Sequence, residues 1–268
     1  MKTEQSADIV FIYHPSHPPR MLKRYDHNNW ELEEMSFEPS VPAPANLTAT
    51  ASAGGSKLYR YKVTAISDAT GEESLPAEAS VSSAELSSSN VVTLRWDTVA
   101  GCEKYSVYRY SNGMYGWIST IIDENSSAQL DMVDDNVKVD FDTTPPTKRN
   151  PFDGENKYPS TGRIHEQRMA MAATYEDPEA IEISKSSNYQ NFTMSNPLQD
   201  DDAISIRAAG LKVNTIYDFA SLAELLVITS GGIWKVPSSG DVNYLTPKSA
   251  KATQQTSYQC QNLLPLTF

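Results

Sequence analysis

Few side chains in this 268-residue chain have the type and spacing that chemistry requires. His14 and His17 lie in HPSHPPR and suggest a metal pair, but a zinc site takes three or four ligands and no third lies nearby. They are expected to be loop histidines beside prolines. RIHEQ places His165 next to Glu166, yet an HExxH helix would need a second histidine where Met169 stands. Arg163, His165, Glu166 and Arg168 combine both charge signs with an imidazole. An acid/base cluster is one reading of them; a structural ion-pair network at the start of a strand is the expected one. Asp200, Asp201 and Asp202 could bind a cation. In an extended chain alternate residues face opposite ways, so Asp200 and Asp202 could converge and Asp201 could not, which leaves too few ligands for calcium. A solvated turn leading into a strand is expected there. Glu179 and Glu182 could be a glycosidase carboxylate pair, but two glutamates among 34 acidic residues carry little signal. The stretch 238–240 lacks the nucleophile-elbow pattern. Cys102 and Cys260 show no CxxC or Cys/His spacing and are expected to be reduced thiols of a protein made in the cytosol. Asn46, Asn125 and Asn191 open N-x-S/T triplets, which matter only on export. No catalytic, cofactor-binding or metal-binding residue is expected, and no enzymatic activity.

The composition is that of a folded protein: 39% hydrophobic, with 14 Tyr and 4 Trp. The start, MKTEQSADIVF, has no signal-peptide apolar core, so Sec export is not expected. The longest apolar run, 222–228, contains Glu224, and no stretch approaches the roughly 18 apolar residues of a membrane helix. A net charge of −12 repels phosphate and disfavours sequence-specific nucleic-acid binding. It serves solubility, or a surface past which DNA moves without sticking.

The elements that would position these residues are strands. A strand–turn–strand unit occurs in DIVFIYHPSHPPRMLKRY from Asp8, in MAMAATYEDPEAIEISKS from Met169 and in LLVITSGGIWKVPS from Leu225. With the Pro/Ser-rich stretch 41–149 removed, the copies recur at about fifty residues, the period of a propeller-like blade array. In the first copy strands are expected at 8–13, 21–25 and 30–35, with 14–20 a turn because three prolines oppose ladder hydrogen bonds. PSVPAP at 39–44 is a linker, and DFDTTPPTKR at 140–149 is the exit. Between them strands are expected at 46–52, 58–67, 76–83, 91–99, 104–110 and 115–122. Their alternation, with Trp96 near the end of one, indicates an antiparallel sandwich. Further strands are expected at 168–174, 180–186, 203–208, 213–219, 225–229 and 233–236, and 221–226 is the one plausible turn of helix, with strand as its alternative. The fold class is all-β: an incomplete propeller-like domain, residues 1–41 and 150–268, interrupted at 42–149 by an immunoglobulin/fibronectin type III-like β-sandwich.

Two resemblances add to this reading. TLRWDTVAGCEKYSVYRY looks like the B and C strands of a fibronectin type III domain, and LYRYKVTAISDATGEESLPAEASV like its F–G part. Here the F–G part comes first, so the strand order is rotated. From Arg163 onward, RIHEQRMAMAAT, IEISKSSNYQNF, DDDAISI, VNTIYDF, ELLVITSGGIWKV and LTPKSAKATQQTSYQC, in that order, resemble the tail nozzle (tail tubular protein B) family of short-tailed phages and its prophage relatives. HPSHPPRMLKRYDHNNWELEEM and TPPTKRNPF resemble the same family's approach to and exit from its insert. Members continue well past the position of Cys260, so the chain reads as truncated or split relative to them. The resemblance implies a non-enzymatic virion protein assembled in the host cytoplasm. It also implies a homo-oligomeric ring in the tail, next to an adaptor and fibres or spikes, with DNA passing through its lumen unbound. A carbohydrate- or cell-surface-binding β module is the alternative.

Overall fold

The computed structural model describes residues 1–210, 213–237, 244–263 and 265. Among them every regular element is a strand, all sheets are antiparallel, and no sheet closes on itself. Among the described residues no helix is long and apolar enough to cross a membrane. The chain divides into two compact units: residues 1–38, 149–193 and 198–268 form the first, and 39–148 with 194–197 form the second.

The first unit opens with β1 (Lys2–Ser6), β2 (Ile9–His14), β3 (His17–Asp26) and β4 (Asn29–Glu34), paired in that order into one sheet. The expectation of a proline turn over 14–20 is corrected here. Only Pro15 and Ser16 turn the chain, and Pro18 and Pro19 lie within β3. A bulge accommodates them. The β2–β3 register passes from Ile12↔Arg20 to His14↔His17, so two prolines stand opposite Tyr13 where no donor is needed. The Pro19 carbonyl is still used, accepting from the Met35 N–H at 2.9 Å. β1 had no expected counterpart, because KTEQS carries no apolar signal.

The second unit contains β5 (Thr48–Ala51), β6 (Lys57–Ile66), β7 (Ala77–Ser83), β8 (Val92–Asp97), β9 (Lys104–Ser111), β10 (Met114–Ile122) and β11 (Gln129–Asp134). They form two sheets, β10-β9-β6-β7 and β11-β8-β5, which share one core. Tyr61, Val63, Tyr105 and Val107 come from one sheet; Val92, Leu94, Trp96 and Met132 come from the other. Alternation explains the choice, since the residues between them on β6 and β8 face out or lie half-buried. At one end of this core Asp134 is fully buried. It accepts from Arg109 Nη1 at 2.6 and 2.8 Å, from the Tyr61 hydroxyl at 2.8 Å, and from the Asn136 and Val137 N–H groups at 3.0 Å. Burial, then the neighbouring Asp134 carboxylate, holds the Tyr61 phenol well above its ordinary pKa.

The remainder of the first unit supplies β12 (Thr161–His165), β13 (Arg168–Ala172), β14 (Ala180–Ile183) and β15 (Ile204–Arg207), paired in order. It continues with β16 (Ile216–Ser221), β17 (Leu225–Thr229), β18 (Gly232–Val236) and β19 (Thr253–Gln254), also paired in order. No helix forms over 221–226; residues 222–224 are the β16–β17 loop. Each repeated hairpin is thus the central pair of a four-stranded meander: β2–β3, β13–β14 and β17–β18. The third copy's last residue, Ser238, lies outside the described residues, as do 239–240 and most of the terminal LLPLTF.

The middle sheet lies between the other two. Ala170, Ala172, Ile181 and Ile183 pack against Phe219, Leu225, Val227 and Trp234 of the third sheet. On the opposite side the Tyr13 hydroxyl donates to Met169 Sδ at 3.0 Å, and a Cβ on Gly162 would overlap the Tyr13 ring. Phe37, Phe152 and Phe192, all buried, pack on one another with ring centroids 5.1–5.6 Å apart.

Trp96 is a fully buried core residue, its ring 6.0 Å from that of Tyr105. Trp96→Ala should lower stability by roughly 3–5 kcal/mol in denaturant titration; an unchanged midpoint would contradict the core role.

Candidate functional site

The polar side chains of the first unit converge where the first strands of its three sheets meet. Period-two alternation puts Lys2 and Glu4 on one face of β1, and Thr161, Arg163 and His165 on one face of β12. Arg163 Nη1 donates to Glu4 Oε2 at 2.9 Å, and the Ile164 N–H donates to the other Glu4 oxygen at 3.0 Å. Asp218 on β16 is buried; it accepts from the Thr161 hydroxyl at 2.6 Å and from the Phe219 N–H at 2.9 Å. Lys2 Nζ stands 3.3 Å from the other Asp218 oxygen and also donates to the Tyr217 carbonyl. His165 Nδ1 lies 2.9 Å from Ser221 Oγ, and its Nε2 lies 3.8 Å from Glu166. Burial pushes the His165 pKa below its ordinary value against the pull of Glu166.

Glu166 and Gln167 form the two-residue β12–β13 turn, with φ of 45° and 60°. Both angles belong to a type I′ turn, a conformation that side chains other than Gly, Asn and Asp resist. Contacts hold it. Glu166 Oε2 accepts from the Leu245 N–H at 2.7 Å, and the Ser187 N–H donates to the Gln167 carbonyl at 2.8 Å. Next along, the buried Arg168 guanidinium donates to four carbonyls: Ser184 at 2.9 Å, Asp200 at 2.8 Å, Asp201 at 3.3 Å and Asp202 at 2.7 Å. Burial lowers its pKa against the field of Asp201, Asp202 and Glu166, and a guanidinium stays charged regardless. Glu166, Arg168, Asp200, Asp201 and Tyr244 line a cleft of about 490 Å³.

The structure therefore brings two of the sequence clusters together, 163–168 and 200–202. It corrects the reading of the aspartates. They occupy a turn before β15, so strand alternation does not apply, and the turn is not simply solvated because Asp202 is fully buried. Lys185 pairs with Asp201 at 3.1 Å and with Asp202 at 3.3 Å, and Lys248 stands 3.6 Å from Asp200. Burial opposes the Lys185 charge, yet the two aspartates outweigh it and raise its pKa.

The other flagged residues lie apart. His14 and His17 stand across the β2–β3 turn with ring centroids 5.0 Å apart. Glu182 pairs with Arg149 at 2.6 Å, whereas Glu179 accepts from the Asn214 N–H at 2.7 Å. Cys102 is buried, and burial raises its thiol pKa; Cys260 is half-buried and both are free thiols. Asn191 is fully buried. Among the described residues no group of three or more His, Cys, Asp or Glu is placed to hold a metal ion. Sequence reasoning missed Lys2, Glu4, Thr161, Asp218 and Ser221, and their isolated polar character gave no signal to find them by. The arrangement can lock sheets together; each acid or base in it already has a partner.

No family model matches the chain, and no curated protein matches it significantly.

Lys2→Met leaves the buried Asp218 without its cation. It should cost about 3 kcal/mol in denaturant titration; a loss under 0.5 kcal/mol, on the scale of an exposed pair, would place the ion pair outside the fold's support. A second prediction concerns pH. With its pKa depressed in the fold, His165 contributes stability that is present above its ordinary value near 6.5 and lost as pH falls through that value. The melting temperature should drop more steeply from pH 7.5 to 5.5 in the parent than in His165→Gln; parallel curves would contradict this.

Proposed function

We propose that this chain is a structural component of a phage tail, a nozzle or tail-tube ring through which DNA is ejected, acting by assembly and not by catalysis. The observation that carries the reading is the architecture of the repeat. The recurring hairpin is the central pair of three four-stranded meanders, and a seven-stranded unit interrupts the chain between the first and the second. This favours an incomplete propeller-like domain with an inserted module, the organisation expected from the ordered resemblance to the nozzle family. A fibronectin type III-like reading of the insert is supported by its pairing. With β8 and β9 as B and C, and β6 and β7 as F and G, C lies beside F and B lies at the centre of its own sheet. Partners are then identical copies, an adaptor and fibres or spikes, in the virion tail after assembly in the host cytoplasm.

The acidic balance fits a lumen that DNA passes. Lysine or arginine there would neutralise phosphates and release counterions, which binds the polymer. Carboxylates repel it over about 8–10 Å at physiological salt. The runs 131–135 and 200–202 are the sequence's candidates for such a wall. Asp134 and Asp202 drop out because both are buried, and Asp131 is held by Arg95 at 2.6 and 2.8 Å.

One observation favours the alternative, a carbohydrate- or surface-binding module. On β9 and β10, Tyr110 and Tyr115 pack edge to face at 5.1 Å, flanked by Arg60 and Lys62. Such rings stack on sugars, although here cations already lie over them.

Native mass spectrometry and a gel-shift assay separate the readings. Expected are a ring of identical subunits and no shift of duplex DNA at moderate salt. Micromolar DNA binding that weakens steeply with salt overturns the lumen reading. A monomer that binds host glycan saturably overturns the assembly reading.

A further inference from the structure

At one end of the first unit the ladders of all three sheets break. In the first sheet the β2–β3 register shifts between Ile12 and His14. In the second, β13 stops at Ala172, and Ala173 takes a φ of 64°. In the third, the β16–β17 register passes from Ile216↔Thr229 to Asp218↔Ile228, which leaves Tyr217 without a ladder partner. Bulges re-aim side chains, and a positive φ on a residue other than glycine persists only where its surroundings hold it. Lys2 holds the third break: its ammonium donates to the Tyr217 carbonyl while it pairs with Asp218.

The three breaks border one cavity of about 590 Å³, whose wall includes His14, Ser160, Ala173, Tyr175, Thr215 and Tyr217. That volume is ordinary for a small-molecule site. None of the described residues lining it is Asp or Glu, in a chain with 34 acids. Lys2 also reaches the wall, but Asp218 already matches its charge. The Ser16 N–H donates to His14 Nδ1 at 3.1 Å, which leaves the ring proton on Nε2 and the ring neutral. The hydroxyls of Ser160, Tyr175, Thr215 and Tyr217 have no partner among the described residues. Tyr175 is 61% exposed. Unlike Tyr110 and Tyr115, neither Tyr175 nor Tyr217 has a cation or another ring against it among the described residues.

We propose that this cavity binds a neutral saccharide unit. A sugar ring presents a C–H face and a rim of hydroxyls that both donate and accept. It needs aromatic rings to lie on and uncharged groups with which to exchange hydrogen bonds, and tyrosine supplies both in one side chain. An anion would find no unmatched side-chain cation here, and a cation would find no carboxylate. A purely apolar ligand would leave the hydroxyls buried and unpaired. The cavity lies within one unit of one chain, so the proposal does not rest on the ring reading.

Isothermal titration of the full chain with maltotetraose, cellotetraose and chitotetraose should show saturable binding to at least one of them. Tetragalacturonate, the acidic counterpart, should bind more weakly than that one. Tyr175→Ala and Tyr217→Phe should each weaken the binding by about tenfold, whereas Tyr110→Ala in the second unit should leave it unchanged. Tyr175 is exposed and Tyr217→Phe removes a single oxygen, so both variants should keep the fold, which circular dichroism checks. Failure of all three neutral glycans to bind overturns the proposal, as does binding that both cavity variants leave intact. Preference for tetragalacturonate overturns the neutral class. Loss through Tyr110→Ala moves the sugar to the second unit and overturns this site. The ring reading is decided separately, by oligomeric state.

Discussion

The first unit depends on a buried charge meeting its partner across most of the chain. Asp218 sits in the first strand of the third sheet, and its cation is Lys2, in the first strand of the first sheet. Chain entropy allows this because loop-closure cost grows with the logarithm of length: doubling a loop adds only about 0.6 kcal/mol. A second folded unit can therefore occupy the chain between the first and second sheets at little cost to their meeting. The return must still be accurate. Gly162 leaves room for the Tyr13 ring, and Glu4 is satisfied only when β12 presents Arg163 and the Ile164 N–H beside β1.

What the sequence revealed follows the strength of the periodic signal. Apolar repetition marked the three hairpins, alternation around Tyr59, Tyr61 and Val63 marked β6, and alternation over 91–99 marked β8 and the core role of Trp96. The misreadings have physical causes. β1 is a polar strand whose pairing comes from the sheet beside it, so KTEQS carried no trace of it. Prolines argued against the first residues of β3, although its later part was expected as a strand; a bulge opposite Tyr13 removed the need for their missing donors. The aspartates at 200–202 read as solvated because partner lysines are invisible in one dimension. Lys185 and the Arg168 clamp make that turn a structural junction.

The same pairing ties the candidate acids and bases to neighbouring strands and turns. Glu4, Asp202 and Glu182 each accept from a named donor, and His165 lies between Ser221 and Glu166. Charges taken out of water are kept only when compensated, and here the compensation joins one strand to another. Arg168 is the clearest case. Its guanidinium gathers carbonyls from β14's end and from the 200–202 turn, fixing a loop by backbone contacts that no acidic side chain at that turn would provide.

Charge then limits how such a unit can associate. The chain carries 34 acids against 22 bases, and many of the bases are already committed to partners within the chain. Copies of net charge −12 repel one another, although at physiological salt that repulsion is damped beyond about 8 Å. Any contact between copies must gain its free energy from surface that carries no charge. Apolar area removed from water contributes about 25 cal/mol per Å², so a sheet face with a row such as Val10, Leu22 and Leu32 can outweigh screened repulsion where a charged face cannot.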